Sequence, residues 1–371
     1  MVRAAPALGR RDAVTASLPA GDLAEHDLGR LVMLGSGGEG DVFALPDHPG
    51  YVYKRYLTSE TPNGAALSAL MTLRARMAPA DRSLVDDTCA WPLARVMDGR
   101  QLVGFVMPAA DRRFSHTVRT GPAAGRTILA ELQHIVFRDR SQNLDLDVPR
   151  DRVVLLQLCL RWAEVIDVLH RHDVVVGDVS PRNLLWSVAG GPSVFFLDCD
   201  GFRCRGTASV LRPKQTPDWN DPALGAGQSP TIESDRYKLA LVVIRCLAAD
   251  PRRRPERPAP SDLEPALADL VARAAGSPDE RPTAAEWVDA LRRLVGGGAS
   301  AAAASGPASP PRQAQATRRP AGRAPVTKRP VIDLSDAPAR RSAPAGLPPT
   351  IAPPERPILD LTSPHTEKDQ K

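Results

Sequence analysis

Residues 35–42 read Gly-Ser-Gly-Gly-Glu-Gly-Asp-Val, a G-x-G-x-x-G-x-V ribbon that follows the apolar run Leu31 to Leu34. Glycines let backbone amides approach phosphate oxygens and adopt conformations closed to other residues. The same spacing also opens the dinucleotide-binding helix of a Rossmann unit, so the residues downstream decide between helix and hairpin. Pro46 and Pro49 oppose a helix begun at Gly40. Val42 to Leu45 is instead apolar, Pro46 to Gly50 has turn chemistry, and Tyr51 to Leu57 carries the β-branched and aromatic residues of a second strand. The segment reads as a hairpin with Lys54 in its second arm, under a phosphate lid of Gly35, Gly37, Gly40 and Val42. A strand lysine is ordinarily part of a solvated face; one at this distance behind a glycine lid is a candidate phosphate ligand.

A second constellation lies mid-chain. Asp151 to His172 has helical period, with Leu155, Leu158, Trp162, Val165, Ile166 and Leu169 on its apolar side. Val174-Val175-Val176-Gly177-Asp178-Val179-Ser180-Pro181-Arg182-Asn183 follows, and later Val194-Phe195-Phe196-Leu197-Asp198-Cys199-Asp200-Gly201. Asp178, Asn183 and Asp198, with Asp200 beside it, are hard oxygen donors on short loops flanked by strands. Mg²⁺ coordination of a nucleotide needs this chemistry. Taken singly, each has a plainer reading as a turn residue or a solvated hairpin tip. Their order behind a glycine lid and a strand lysine assigns them to one site.

From Gly297 to Lys371 the chain has no Phe, Trp, Tyr or Cys, and 14 of its 37 prolines fall there among runs of Ala and Ser. Such a segment buries too little apolar surface to offset its ordering entropy, and it reads as a disordered tail. Of the 48 basic and 43 acidic residues, 11 and 6 lie in the tail, so residues 1–296 are formally neutral. The basic excess is dispersed and without aromatics for base stacking, so no specific nucleic-acid partner is expected. Within the tail, Arg329-Pro330-Val331-Ile332-Asp333-Leu334-Ser335 and Arg356-Pro357-Ile358-Leu359-Asp360-Leu361-Thr362 share the template R-P-aliphatic-aliphatic-D-L-[ST]. They are either a chance echo in low-complexity sequence or strands that add to the sheet edge of a docking partner, two copies giving avidity.

The aliphatic run Leu239 to Ile244 is stopped by Arg245, so no membrane span is expected. The first residues carry Arg3, Arg10 and Arg11 without the apolar stretch of a secretory signal. Five cysteines without a C-x-x-C pair suit reduced thiols, and the expected setting is cytoplasmic.

In their order, these motifs resemble the eukaryotic-type (Hanks-type) protein kinase superfamily over roughly residues 28–295. The resemblance implies a bilobal α+β fold: an N-terminal extension (1–27), a small β-rich N-lobe (28–108), a larger helical C-lobe (109–296) and the tail (297–371). By the same resemblance Gly35, Gly37, Gly40 and Val42 cover ATP, Lys54 holds its α/β-phosphates, and Phe105-Val106-Met107-Pro108 is a hinge on which Met107 meets adenine. Asp178 is the catalytic aspartate, while Asn183 and Asp198 hold Mg²⁺. Asp235, in Ser234-Asp235-Arg236-Tyr237, braces the catalytic loop, and Arg281-Pro282-Thr283 matches the R-P-T signature near the domain end. The phrases A-W-P-L, V-G-F-V-M-P and L-D-C-D-G-F resemble a bacterial branch often encoded beside a metal-dependent Ser/Thr phosphatase and a von Willebrand A-type protein. The implied activity is transfer of the ATP γ-phosphoryl to Ser or Thr of protein substrates. The alternatives are an inactive ATP-binding scaffold that recruits partners through its tail, and a small-molecule kinase, which the full lid and R-P-T ending oppose.

Four departures from the family pattern bear on that activity. The helix after Lys54, read over Leu67 to Met77, has no Glu to pair with the lysine; Glu60 or Glu39 could substitute. Val176-Gly177-Asp178 stands where H-R-D is commonest, and Ser180 where Ser/Thr kinases carry a lysine, which makes Arg182 the replacement cation. Asp198-Cys199-Asp200 replaces Asp-Phe-Gly, with Asp200 a second metal ligand or the true one. Trp219-Asn220-Asp221-Pro222-Ala223 lacks the glutamate that ends the activation segment, so Arg281 is expected to lose its customary partner. Thr207, Ser209, Thr216, Ser335 and Thr362 are candidate sites of self-modification.

Overall fold

The computed structural model describes residues 21–304, apart from residues 143, 215, 226 and 258–260. The tail repeats at 329–335 and 356–362 lie outside the described residues.

A six-stranded sheet comes first, built from β1 (Leu23–Ala24), β2 (Val32–Ser36), β3 (Gly40–Ala44), β4 (Tyr51–Tyr56), β5 (Ala94–Asp98) and β6 (Gln101–Pro108) in the order β1-β5-β6-β4-β3-β2. All neighbours are antiparallel except β1 and β5. The hairpin read around Pro46 is β3 and β4, in a register that sets Val42 opposite Lys54. Side chains alternate across β4 as the pleat dictates. Val52 and Tyr56 join the main core with Phe105 and Met107. Tyr53 packs on the other face with Leu23, Leu28, Phe43 and Val106. Glu25 fastens that outer face, accepting from Tyr53 Oη and Arg55 Nε at 2.7 Å each. The sheet therefore reaches upstream of the boundary read at residue 28, because Leu23 and Leu28 cover apolar surface that would otherwise face water.

Two helices separate β4 from β5. The first, α1 (Gly64–Arg76), starts earlier than the periodicity suggested, because the Asn63 side chain caps it by accepting from the amides of Ala65 and Ala66. The second, α2 (Pro79–Thr88), opens on a proline, whose fixed φ suits the first turn.

Short elements lead into the helical lobe: the ladder of β7 (Ser115–Thr117) and β8 (Thr127–Leu129), then α3 (Gln133–Val136) and α4 (Arg138–Gln142). The central helix α5 (Arg152–Arg171) is capped by Asp151, whose carboxylate accepts from Val154 N at 3.0 Å, and it buries the apolar positions read from its period. Two ladders carry the site loops: β10 (Leu184–Ser187) with β11 (Ser193–Phe196), and β9 (Val174–Val175) with β12 (Arg203–Cys204). Behind them α6 (Ile232–Ala248), held at its start by a Thr231/Ser234 capping box, is buried along almost its whole length. Last come α7 (Pro265–Ala274) and α8 (Ala284–Ala304), with α8 packed along α5. Helix α8 continues past Gly296, where the sequence reading ended the folded part; its alanines favour helix there.

The architecture is the α+β, two-lobed arrangement expected, with a cleft between the β-rich and helical parts. No helix among the described residues is long and apolar enough to cross a membrane. All five cysteines are free thiols.

Candidate active site

The cleft has a volume of about 540 Å³, and residues from both lobes converge on it. From the sheet come Gly37, Gly40, Val42, Lys54 and Met107; from the helical lobe come Asp178, Arg182, Asn183, Asp198 and Asp200. Of the residues read as nucleotide-, metal- or acceptor-binding, Gly35 alone is outside the lining. It sits in β2 beside an irregularity in the ladder with β3.

The lid turns tightly, Gly37 N donating to Gly40 O at 2.8 Å. Gly40 is explained by its own sheet: a Cβ there would come within 2.3 Å of Arg55 O. Gly104 is constrained alike from the other side, where a Cβ would come within 2.2 Å of Lys54 O. Two close backbone contacts thus fix β4, and with it the root of the lysine.

Lys54 is buried, and its Nζ reaches three carboxylates. It donates to both oxygens of Asp200 at 2.8 and 3.0 Å, to Asp198 Oδ1 at 3.3 Å and to Glu39 Oε2 at 3.4 Å. Burial alone would lower the lysine's pKa; the charges of Asp198, Asp200 and Glu39 outweigh it and hold the ammonium well above its ordinary value. Of the two acids proposed from sequence to substitute for the helix glutamate, Glu39 is at the lysine. Glu60 instead pairs with Lys214 at 3.6 Å.

Asp198 lies two residues past the end of β11 with φ +52°, a left-handed conformation that non-glycine residues hold only where the surroundings impose it. Its side chain is 51% exposed, whereas that of Asp200, inside the following turn, is 2% exposed. Burial raises the Asp200 carboxyl while Lys54 pulls it down.

Asp178 is the hub of the opposite wall. Its Oδ2 accepts from Asn183 Nδ2 at 2.8 Å and from Ser180 Oγ at 3.4 Å, and Thr216 Oγ1 donates to its Oδ1 at 3.0 Å. Burial raises its carboxyl, with the Lys238 charge and the Thr216 bond opposing. Asn183 spends its amide nitrogen on Asp178, which leaves the amide oxygen as the atom offered to a cation. Among the described residues no cluster of three His, Cys, Asp or Glu side chains has metal-binding spacing. The donors that could hold a cation are mixed: the Asn183 amide oxygen and the half-exposed carboxylate of Asp198, both of which line the cleft.

The loop that carries Asp178 is braced from below. Asp235, fully buried on α6, accepts from the amides of Val176 and Gly177 at 2.7 and 2.9 Å and lies 3.4 Å from His170 Nε2. Lys238, one turn further along α6, donates to Gly177 O at 2.5 Å. Gly177 has φ +77°, which explains a glycine just before the aspartate.

One expectation is overturned. Arg281 has a partner: its guanidinium makes a bidentate pair with Asp221 at 2.5 and 2.8 Å, both side chains buried. The missing glutamate is replaced by an aspartate a residue ahead of Pro222. Thr216, read as a self-modification site, points inward at Asp178. Sequence reasoning also missed Lys214, whose Nζ meets Gly38 O at 3.1 Å and Glu39 Oε1 at 3.5 Å, since a lone lysine in a loop carries no pattern.

No family model and no curated protein matches this chain. Among solved structures it is similar to the kinase domain of Mycobacterium tuberculosis PknI, at 20% identity over 70% of this chain and 93% of that one, with a TM-score of 0.46.

Proposed function

We propose that this chain is a protein kinase that transfers the γ-phosphoryl group of Mg-ATP to a serine or threonine hydroxyl of a protein substrate. The observation that carries the reading is the convergence on one cleft of Lys54, from the sheet, with Asp178, Asn183 and Asp198, from loops of the helical lobe.

The chemistry follows from positions. Backbone amides of the lid and the Lys54 ammonium hold the triphosphate, while Met107 and Val42 line the wall for the adenine. Asn183 and Asp198 would hold magnesium, which when bound offsets charge on the phosphates. Asp178 accepts the hydrogen bond of the substrate hydroxyl and orients its oxygen toward the γ-phosphorus. The new O–P bond forms as the bond to the β–γ bridging oxygen breaks; ADP leaves with that electron pair, and the hydroxyl proton passes to the Asp178 carboxylate. Arg182 steadies charge on the transferring group.

The test is labelled ATP with Mg²⁺, with and without a protein acceptor, beside Asp178→Ala and Lys54→Ala. Label on serine or threonine that vanishes in both variants supports the kinase. The second reading, an inactive nucleotide-binding scaffold, is favoured by one observation: α1 has no acidic residue to pair with Lys54. ATP binding without transfer to any protein would establish it.

A further inference from the structure

We infer that Asp200 is the positioning residue for Lys54, doing from the metal loop what a helix-borne glutamate would otherwise do, and that Asp198 alone of the two faces the cation. This rests on the site reading proposed above and assigns separate roles to two acids that the sequence reads as alternative or joint metal ligands.

A buried ammonium needs a counter-charge in a fixed place, because an unpaired charge inside a protein is heavily penalised. Helix α1 cannot supply it: its charged residues are Arg74 and Arg76, and Arg74 is engaged bidentately by Asp86. Three carboxylates reach Lys54 instead, and they differ in what else they can do. Glu39 rides on the lid and shares itself with Lys214. Asp198 gives Lys54 a single contact at 3.3 Å and keeps half its side chain in the open cleft. Asp200 gives both oxygens, at the shortest distances of the three, and is shut off from solvent. A cation arriving through the cleft meets Asp198 first, whereas Asp200 is shut off from solvent with both oxygens turned to Lys54.

The local backbone produces this division. The left-handed residue at Asp198 and the tight turn over Cys199–Gly201, closed by Gly201 N donating to Asp198 O at 3.0 Å, set the two carboxylates at different depths around one ammonium. Cys199 between them is fully buried and pins the turn to the core. Lysine anchor and cation ligand therefore belong to one rigid turn, and pairing does not wait on any movement of α1.

The experiment compares Asp200→Asn, Asp198→Asn and Asp200→Glu in the full chain, using ADP as probe. The first readout is the factor by which Mg²⁺ tightens ADP binding in calorimetry, which needs no turnover. Asp198→Asn is expected to abolish most of that factor; Asp200→Asn is expected to leave it within about twofold. The second readout is thermal melting of nucleotide-free protein in a double-mutant cycle with Lys54→Met. Asp200→Asn and Lys54→Met are expected to be strongly non-additive. In the transfer assay Asp200→Asn should lower kcat/KM at least tenfold at saturating Mg²⁺, with partial recovery in Asp200→Glu. If Asp200→Asn fails to fold, the Lys54→Met/Asp200→Asn pair, free of the stranded ammonium, carries the same magnesium comparison. Loss of the magnesium factor on removing Asp200, or additive melting effects, overturns the assignment. Absence of transfer in the unaltered chain overturns the proposed function instead, and leaves the calorimetric and melting comparisons intact.

Discussion

Arg281 and Asp221 are bound by two hydrogen bonds inside the helical lobe, where each is almost wholly removed from water. The pair holds the end of the segment that begins at Asp198 and passes Thr216, while Arg245 stacks 4.7 Å from the Trp219 ring centre and donates to Asp218 O at 2.9 Å. Asp221→Asn strands a buried guanidinium and is expected to cost about 3–5 kcal/mol in urea denaturation. Asp221→Leu combined with Arg281→Met should recover most of that loss. A cost under about 1 kcal/mol for the single variant would show that water reaches the pair.

Thr216 donates a hydrogen bond to Asp178, the carboxylate proposed to orient the acceptor. Thr216→Ala is expected to leave KM for ATP unchanged while lowering kcat about 10- to 100-fold, the penalty for a small misplacement of a reacting group. Thr216→Ser keeps the hydroxyl and should restore most of the rate. Equal loss in both variants would mean that the methyl group, and not the bond to Asp178, matters.

How much of this was legible in the sequence depended on the range of the signal. The Lys54 hairpin, α5 and the Asp178–Asn183 loop announce themselves within a few residues, through turn chemistry, helical period and close spacing. Asp221 did not, because its partner lies 60 residues away and only tertiary packing brings an aspartate to the arginine that a glutamate was expected to meet. The apolar strand that Asp198 follows favours it over Asp200 as a metal ligand, but the different depths of the two carboxylates were not legible, since burial is a property of the folded turn. The strand at Leu23–Ala24 is too short to show alternation and exists because the back of β4 must be covered.

His134, on α3, is buried and neutral, its imidazole held down to about 3 by burial and by the nearby His116. The folded-state value is depressed, so this contribution is complete above the ordinary histidine value of about 6.5 and is lost as pH falls toward 3, where only the unfolded chain takes the proton. Between pH 7 and pH 5 the loss from this one group is expected to reach about 2 kcal/mol. Urea midpoints across that range should fall more steeply for the unaltered chain than for His134→Leu. Parallel slopes would show that His134 does not titrate on unfolding.

Lys214 ties the segment between β12 and α6 to the lid through Gly38 O and Glu39, reaches Glu60, and is assisted by Asn63 N, which donates to Val210 O at 2.8 Å. Its side chain is half exposed, so its ion pairs contribute little to global stability, under about 1 kcal/mol. Their effect falls on the glycine-rich lid, whose tip they hold to the segment below. Lys214→Ala is therefore expected to leave the melting temperature nearly unchanged while raising KM for ATP about two- to fivefold, the equivalent of one exposed pair. Added salt should weaken ATP binding in the unaltered chain more than in the variant, because screening removes the same contact. A variant with unchanged KM and unchanged salt dependence would release the lid from this lysine, and leave Glu39 to hold Lys54 without help from the segment below.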